Sequence, residues 1–480
     1  MEMVKNLLGD SAKYGIGSVI TKFFSILIVP IIAKNYPPDI FGEINVVTTF
    51  IALFTGITIL GLDAAGGYYY YYGEEELKKD YLGTAFVFRI LISVCVFAIF
   101  ILFSRKLASS NFLLKNQDRY FLIILGASLI PFDNSFSFFT GLTRLLIKPG
   151  LYNIINISKI LLYFSFIVIF LAKGLLVEHI FISMIISSSI PVLVLFIYYQ
   201  AQFNFKLNKY CLIRLLKYGL PLMPTTIMFW IINSVSRFIL NNYTGLEEVG
   251  IYSMMISISS IFLLITGSIM TAYPAFAMSV AKRDDVKQIY AKIFHCLLLF
   301  LVPLAFLFWS ISDIAILLFS RPIYLRGSKA IIFIVLEHIV NLLYQCGAIG
   351  LTLTKNTIYI TYGYCISGVI TIVLARVLVS TMGIIGAAIS VFLGYLIAIF
   401  FIIFKSQKFY QIPYRSIMII FYSIITLIIL SILVYLPELS IVFNFLIRFS
   451  IGCLYLCVPF ILGIISFSEI KNAFPRKKIA

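Results

Sequence analysis

The sequence predicts an all-α polytopic membrane protein with about 14 transmembrane helices. Of its 480 residues, 61% are hydrophobic and only 12% are charged, whereas a soluble globular protein carries about 25% charged residues. This composition leaves too little polar surface to cover a soluble fold. The apolar residues also form continuous runs long enough to cross a bilayer as helices. They do not alternate with polar residues, as they would in a membrane-spanning strand.

Fourteen apolar runs follow one another, and the loops between them are too short for a separate soluble domain. No small-residue cleavage site follows the first run, so we expect it to remain as the first span. The runs lie near residues 14–34, 41–62, 83–104, 120–142, 150–172, 176–199, 218–240, 249–272, 293–313, 330–354, 357–379, 383–404, 416–436 and 442–466.

The distribution of Lys and Arg predicts the orientation of these spans. If the N-terminus is cytoplasmic, the inside segments hold more than twice as many of these residues as the outside loops. Cytoplasmic loops of membrane proteins are enriched in Lys and Arg, although loop 105–119 runs against this trend. We therefore expect both termini in the cytoplasm, and we attribute the net charge of +17 to topology rather than to nucleic-acid binding.

Two further features concern small groups of residues. The seven cysteines are scattered and form no metal-like cluster, so we expect neither a metal nor a cofactor. The longest loop, about 63–82, contains five consecutive tyrosines at 68–72. A tyrosine run at the end of a span fits an interfacial aromatic belt, and a platform that stacks on glycans is the alternative.

Matches at a nearly constant offset indicate an internal repeat. The triplet KYG at 13–15 recurs at 217–219, and Gly42 at the start of the second span matches Gly250 at the start of the eighth. Six helices separate the copies, so both should have the same orientation, an arrangement known from transporters. The predicted parts are an N-terminal lobe at 1–205 (helices 1–6), a C-terminal lobe at 206–404 (helices 7–12), and helices 13–14 with a basic cytoplasmic tail at 405–480.

The matching stretches also carry a family resemblance. They read "KYGIGSVITKFFSILIVPIIAKNYPPDIFGEIN" at 13–45 and "KYGLPLMPTTIMFWIINSVSRFILNNYTGLEEVGIYS" at 217–253, and "GIIGAAIS" follows at 383–390. These stretches resemble the polysaccharide-transporter branch of the multidrug/oligosaccharidyl-lipid/polysaccharide exporter superfamily, which contains the O-antigen and repeat-unit flippases. An acid often precedes the arginine of the second stretch in that branch, whereas Ser236 precedes Arg237 here.

The resemblance implies a flippase and not an enzyme. Its expected cargo is an undecaprenyl-pyrophosphate-linked oligosaccharide, such as a repeat unit of capsule or of lipopolysaccharide O-antigen. The protein would move this cargo from the cytoplasmic to the periplasmic leaflet of the cell inner membrane by alternating access. Other expected partners are membrane lipids, a proton or sodium ion, a polysaccharide polymerase and glycosyltransferases.

Two alternatives to this function stay open. A cation-coupled multidrug exporter of the same superfamily would need an acidic cavity, and the central cations argue against one. A membrane enzyme of polysaccharide assembly is the other alternative. A polymerase would be expected to show a large periplasmic loop, and an acyltransferase would have only His338 as its membrane histidine.

Six basic residues fall inside predicted spans. Each costs about 2.5–3.5 kcal/mol at the middle of a span unless it faces a cavity, is paired or reaches the interface. Arg89 and Arg448 lie nearer span ends, so we expect both side chains to snorkel to the interface. The other four are Lys22, Lys159, Arg237 and Arg376.

Three of these cations share a helical face with polar or aromatic residues. Arginine can chelate phosphate oxygens, and tyrosine or tryptophan can stack on sugar rings. We predict that the three cations jointly hold the pyrophosphate; interhelical hydrogen bonding is the structural alternative. The predicted substrate-binding residues are Lys22, Lys159, Arg237, Trp230, Asn233, Asn156 and Tyr152.

Three titratable side chains within spans are candidates for ion coupling or charge pairing: Asp133, Glu337 and His338. A buried carboxyl group can carry a proton because burial favours its neutral form. For Asp133 we favour pairing with a Lys or Arg over ion coupling. For Glu337, which precedes His338 directly, both interpretations stay open.

Overall fold

The computed structural model of the protein describes residues 2–110, 113–174, 176–435 and 440–461. Within these ranges the chain is helical and contains no strand, which confirms the all-α prediction. The helices are α1 Glu2–Asn35, α2 Pro38–Ile59, α3 Leu62–Tyr72, α4 Lys78–Ser109, α5 Tyr120–Leu145, α6 Pro149–Ala172, α7 Val177–Tyr199, α8 Lys209–Gly219, α9 Met223–Thr244, α10 Leu246–Val280, α11 Val286–Phe319, α12 Ile331–Gly347, α13 Ile349–Leu353, α14 Ile358–Phe409, α15 Ser416–Tyr435 and α16 Ile441–Ile461.

The long helices account for the predicted spans. Ten helical stretches of the described residues are long and apolar enough to cross a membrane, and two shorter apolar helices lie at Tyr422–Leu433 and Ile441–Cys457. The runs at 357–379 and 383–404 both fall in α14, which bends at Gly383 with φ 53° and ψ −125°. Only glycine adopts this conformation readily. The last part of the run at 442–466 lies outside the described residues. The prediction of a polytopic membrane protein is confirmed.

The segment read as the start of the longest loop is instead a short helix. The chain leaves α2 through Leu60 and Gly61, both with positive φ, and then forms α3 at Leu62–Tyr72. The sequence did not indicate this helix, because its tyrosine run lacks the apolar periodicity by which helices are recognised. Gly219 at the end of α8 lies against the backbone of Leu60 and Gly61. The glycine of the second KYG triplet therefore permits a close contact between backbones that a side chain would block.

The described helices form two compact units, Met1–Ser257 with Gly368–Ser390, and Ile258–Ser367 with Val391–Ala480. In the first unit α5 packs against α2, α4 and α7, and α1 packs against α6. In the second unit α11 packs against α12 and α16. The lobes expected at 1–205 and 206–404, with 405–480 as an addition, stay a prediction.

A reciprocal glycine contact lies in the first unit, where α2 and α10 begin. A Cβ atom added to Gly42 would collide with the carbonyl oxygen of Leu246, and one added to Gly250 would collide with that of Pro38. Each glycine thus meets the carbonyl four residues before the other glycine. Such an exchange is the pattern of a contact around a two-fold axis, and these are the two glycines that the repeat alignment makes equivalent.

Candidate functional site

A charged cluster in the first unit joins α5, α6 and α7. Lys159 Nζ lies 2.8 Å from Asp133 Oδ1, and Ser188 Oγ donates a hydrogen bond to the same oxygen at 2.9 Å. The Lys159 ammonium also stands 4.3 Å from the centre of the Phe136 ring. About a third of both charged side chains is exposed, 29% for Lys159 and 36% for Asp133. Lys159 is therefore a neutralised cation that stays accessible.

Lys22 is placed on α1 beside the same stretch of α6. Gly17 on α1 lies against Asn153 on α6, and Phe24 meets Phe164 with ring centres 6.1 Å apart. These contacts bracket Lys22 on one helix and Lys159 on the other, and they show that α1 and α6 run side by side in the same direction. Lys22 is partly buried, and no carboxylate pairs with it within the described ranges.

Arg237 is a cation on α9, within a stretch that is long and apolar enough to cross a membrane. Its NH1 group donates to the backbone oxygen of Asn233 at 3.3 Å, and its Nε is buried without a hydrogen-bond partner. No acid forms a salt bridge with Arg237 in the part of the chain that the structure describes. The Nε atom has thus lost water without gaining a partner, which is costly unless an anion binds there.

The other predicted binding residues make local contacts. Trp230 donates from Nε1 to the carbonyl oxygen of Thr49 at 3.0 Å, which holds α9 against α2. Asn233 donates to Phe229 and Asn156 to Tyr152, each within its own helix. The ring of Tyr152 lies 5.6 Å from the guanidinium of Arg144. Trp230 thus has a structural role here, and the joint action of Lys22, Lys159 and Arg237 stays a prediction.

The expectation that Arg89 snorkels is wrong. Its side chain on α4 is 1% exposed and forms an ion pair with Asp63 on α3. It also donates to the side chain of Asn134 at 2.5 Å and to its backbone oxygen at 3.0 Å. Asn134 in turn donates to Thr58 at 2.9 Å and to Ser93 at 2.8 Å. This network satisfies the charge inside the bundle, so Arg89 does not need the interface.

The expectation for Arg448 is wrong for the same reason. In the second unit its NH1 group on α16 lies 2.8 Å from Asp313 Oδ1 on α11, and both side chains are only 5% exposed. The guanidinium also stands 4.2 Å from the ring centre of Trp309. Sequence reasoning missed Asp63 and Asp313 as partners because each acid lies on another helix at the end of an apolar run. Asp313 ends the predicted run at 293–313, and an acid in an apolar run signals that it needs a partner but not which one. Asp63 follows the run at 41–62 and gave no such signal.

Glu337 and His338 lie on α12 in the second unit. His338 Nδ1 is 2.7 Å from Glu337 Oε2. The other ring nitrogen of His338, Nε2, and the side-chain oxygen of Asn341 are buried and have no hydrogen-bond partner among the described residues. No group of three metal-ligating side chains occurs among the described residues.

The charges of the first unit differ in how they are compensated. Three acids are paired with cations: Asp63 with Arg89, Asp133 with Lys159 and Glu43 with Arg119. Lys22 and Arg237 have no such carboxylate within the described residues. The excess charge of this polar interior is therefore positive, and an anion is the ligand that it suits.

Comparisons with known proteins agree with this fold. Residues 31–321 match the family described as "Polysaccharide biosynthesis protein". A search of curated proteins finds no match.

Among solved structures, the lipid II flippase MurJ in an inward closed conformation matches with a TM-score of 0.72 and 16% identity over 93% of this chain and 97% of that chain. An inward-facing multidrug resistance MATE family transporter matches with a TM-score of 0.58 and 14% identity over 81% and 94%. The MATE transporter VcmN of Vibrio cholerae, as a D35N mutant, gives 0.58 and 14% over 85% and 97%.

The fold is shared with the lipid II flippase MurJ and with a MATE family transporter of the MOP superfamily. The chain belongs to the polysaccharide biosynthesis protein family, as the match over more than half of its length shows. The resemblance to the polysaccharide-transporter branch of that superfamily is thereby confirmed.

Proposed function

We propose that the protein is a flippase for an undecaprenyl-pyrophosphate-linked oligosaccharide, a repeat unit of O-antigen or capsule. The observation that carries this proposal is Arg237, a cation in a membrane-spanning helix whose Nε is buried without a partner. Pyrophosphate supplies several acceptor oxygens and the negative charge that such a guanidinium lacks. Lys22 supplies a further positive charge in the same unit, and Lys159, which is paired with Asp133, supplies an ammonium group that can still donate to phosphate. The family, whose description names polysaccharide biosynthesis, supports a glycan as the rest of the cargo.

The charge distribution supports the orientation and the location of the protein. The excess of Lys and Arg in alternate loops supports cytoplasmic termini and a position in the cell inner membrane. The resemblance to repeat-unit flippases implies transport from the cytoplasmic to the periplasmic leaflet by alternating access of two repeats. The reciprocal contact at Gly42 and Gly250 supports the repeat because its two sides exchange equivalent groups. A polymerase and glycosyltransferases are the partners that such a pathway would require.

A multidrug exporter is the second candidate, and the MATE transporters of similar fold favour it. Cationic drugs, however, need uncompensated acids. In the first unit Asp133 is compensated by Lys159 and Asp63 by Arg89, which leaves positive charge in excess. A polymerase or acyltransferase is disfavoured because the matching solved structures are transporters.

Depletion of the protein in its own host tests this function. We expect the lipid-linked oligosaccharide to accumulate with its glycan accessible only from the cytoplasmic side. A polymerase would instead leave single repeat units on the periplasmic side. A drug exporter would leave the lipid-linked oligosaccharide unchanged while sensitivity to cationic drugs rises. Either of these two results would contradict the proposal.

Glu337 is the candidate for proton coupling. Replacement by glutamine removes its titration but keeps its size and hydrogen-bonding capacity. We expect Glu337→Gln to slow transport driven by a pH gradient by tenfold or more, on the order of a lost coupling energy of 1–3 kcal/mol, and to leave substrate binding unchanged. Proteoliposomes with an imposed pH gradient provide the measurement, and Asp285→Asn, at an exposed acid, is the control. Wild-type transport that ignores the pH gradient would exclude this role.

A further inference from the structure

The tyrosine run on α3 forms an exposed aromatic surface. Tyr68, Tyr71 and Tyr72 are 43%, 57% and 79% exposed. Tyr218 at the end of α8, the tyrosine of the second KYG triplet, is 39% exposed. None of these rings belongs to the cation site described above.

Three of these rings stack on one another. The ring centres of Tyr68 and Tyr218 are 4.8 Å apart with planes at 22°, and those of Tyr68 and Tyr72 are 5.2 Å apart with planes at 32°. Tyr72, Tyr68 and Tyr218 thus form one continuous stack, which we call the tyrosine ledge.

The ledge is held in place by its two helices. Gly61 and Gly219 bring the backbones of the α2–α3 turn and α8 into direct contact. The hydroxyl group of Tyr71 donates to the carbonyl oxygen of Leu145 at 2.6 Å, which fixes α3 against the end of α5. Arg214 on α8 pairs with Glu74, just after α3, at 2.9 Å. These contacts pre-organise the rings, so a ligand would not have to order them on binding.

Stacking distinguishes the ledge from a membrane belt. Belt tyrosines are anchors that place a polar hydroxyl group at the headgroups and an apolar ring among the acyl chains. Their rings need not meet, whereas Tyr68 stacks on Tyr218 of another helix and packs at a tilt against Tyr72 of its own helix. Tyr72 ends this series of rings and is 79% exposed, so its outer face can meet the apolar CH face of a pyranose ring, because the negative ring face attracts the weakly positive CH groups.

The predicted topology favours a glycan on the cytoplasmic side, and two of the acids that follow α3, Glu74 and Glu75, are paired with Arg214 and Lys78. Lys217 adjoins Tyr218 in the chain, and its side chain is exposed. Arg144 is also exposed, one residue before the carbonyl that binds Tyr71. Both cations belong to segments that the positive-inside pattern assigns to the cytoplasm, the side on which lipid-linked sugars would await transport.

We propose that the tyrosine ledge binds the glycan of the lipid-linked oligosaccharide on the cytoplasmic face, before its pyrophosphate reaches the membrane-embedded cations. This inference rests on the proposed function. It assigns the two parts of the cargo to two places, the sugar to Tyr68, Tyr72 and Tyr218 and the pyrophosphate to Arg237, Lys22 and Lys159.

Binding of two probes to the detergent-solubilised protein tests the ledge. One probe is the lipid-linked oligosaccharide purified from the depleted host, and the other is undecaprenyl pyrophosphate without a sugar. We expect Tyr72→Ser to weaken binding of the first probe by about three- to tenfold, the range of one aromatic contact, and to leave the second unchanged. Tyr72→Trp keeps the stacking surface and should bind both probes as the wild type does. Tyr243→Ser, at a tyrosine 52% exposed on α9, is the control.

Failure of the tyrosine ledge and failure of the proposed function give different results in this experiment. If Tyr72→Ser binds both probes as well as the wild type, or loses both to the same extent, the ledge has no glycan role. If the wild type binds neither probe, the proposed function fails before the ledge is in question. Binding of the same two probes to Tyr68→Ser is a second test, because Tyr68 is the ring that contacts both Tyr72 and Tyr218.

Discussion

Replacement of Asp313 by alanine is expected to destabilise the protein by about 3–5 kcal/mol, the cost of breaking a buried ion pair. Asp313 and Arg448 are both 5% exposed, so the substitution would leave a buried guanidinium without its carboxylate. The ring of Trp309 beside Arg448 compensates only a small part of that charge. The loss should appear as a large fall in the melting temperature of the purified protein, followed by size-exclusion chromatography after heating.

Two variants separate the effect of charge from that of packing. The double variant Asp313→Leu with Arg448→Met removes both charges while keeping apolar volume, and it should recover most of the lost stability. Asp285→Ala breaks the pair between Asp285 and Arg283, whose side chains are 49% and 61% exposed, and it should change the melting temperature little. Equal losses for Asp313→Ala and Asp285→Ala would show that burial of the first pair does not matter.

Replacement of Arg237 by alanine is expected to abolish translocation, and replacement by lysine to restore it only in part. A guanidinium can donate two parallel hydrogen bonds to phosphate oxygens, whereas an ammonium group acts as a point charge. Each lost charge-assisted hydrogen bond weakens binding by about 1.5–3 kcal/mol. Restoration of surface polysaccharide in the depleted host, at equal protein level, is the measurement.

The same assay contains its own control. Arg105→Ala removes an exposed arginine at the end of α4 and should leave surface polysaccharide at the wild-type level. Full restoration by Arg237→Ala would show that the unpaired guanidinium does not bind the cargo. In that case its lack of a counter-charge would have no connection with transport.

The sequence predicted those features that depend on one helix at a time. Length and hydropathy are local properties, so the spans and the all-α class could be predicted, and Arg237 could be selected as a cation on a polar stripe. Pairing depends on contacts between helices that lie far apart in the chain. Asp63 and Arg89 are 26 residues apart, and Asp313 and Arg448 are 135 apart. No pattern within one span indicated that these arginines would meet acids.

Two local details escaped prediction for other reasons. The helix α3 could not be recognised because its tyrosines suit an interface and a helix equally well. The contact between Gly219 and the Leu60–Gly61 turn depends on the positive φ angles of that turn, which the sequence does not specify at Leu60. The sequence shows that the KYG triplet is repeated. The packing of α8 shows what its glycine does in the second copy, which is to permit a close contact between two backbones.

Translocation in proteoliposomes measures the proposed flippase activity itself. The lipid-linked oligosaccharide from the depleted host would be incorporated into vesicles with the purified protein, and a membrane-impermeant glycosidase added outside would digest every glycan that reaches the outer leaflet. We predict that wild-type protein makes nearly all of the glycan accessible, whereas vesicles with Arg237→Ala stay near the half that vesicles without protein expose. A wild-type protein that exposes no more glycan than protein-free vesicles would contradict the account.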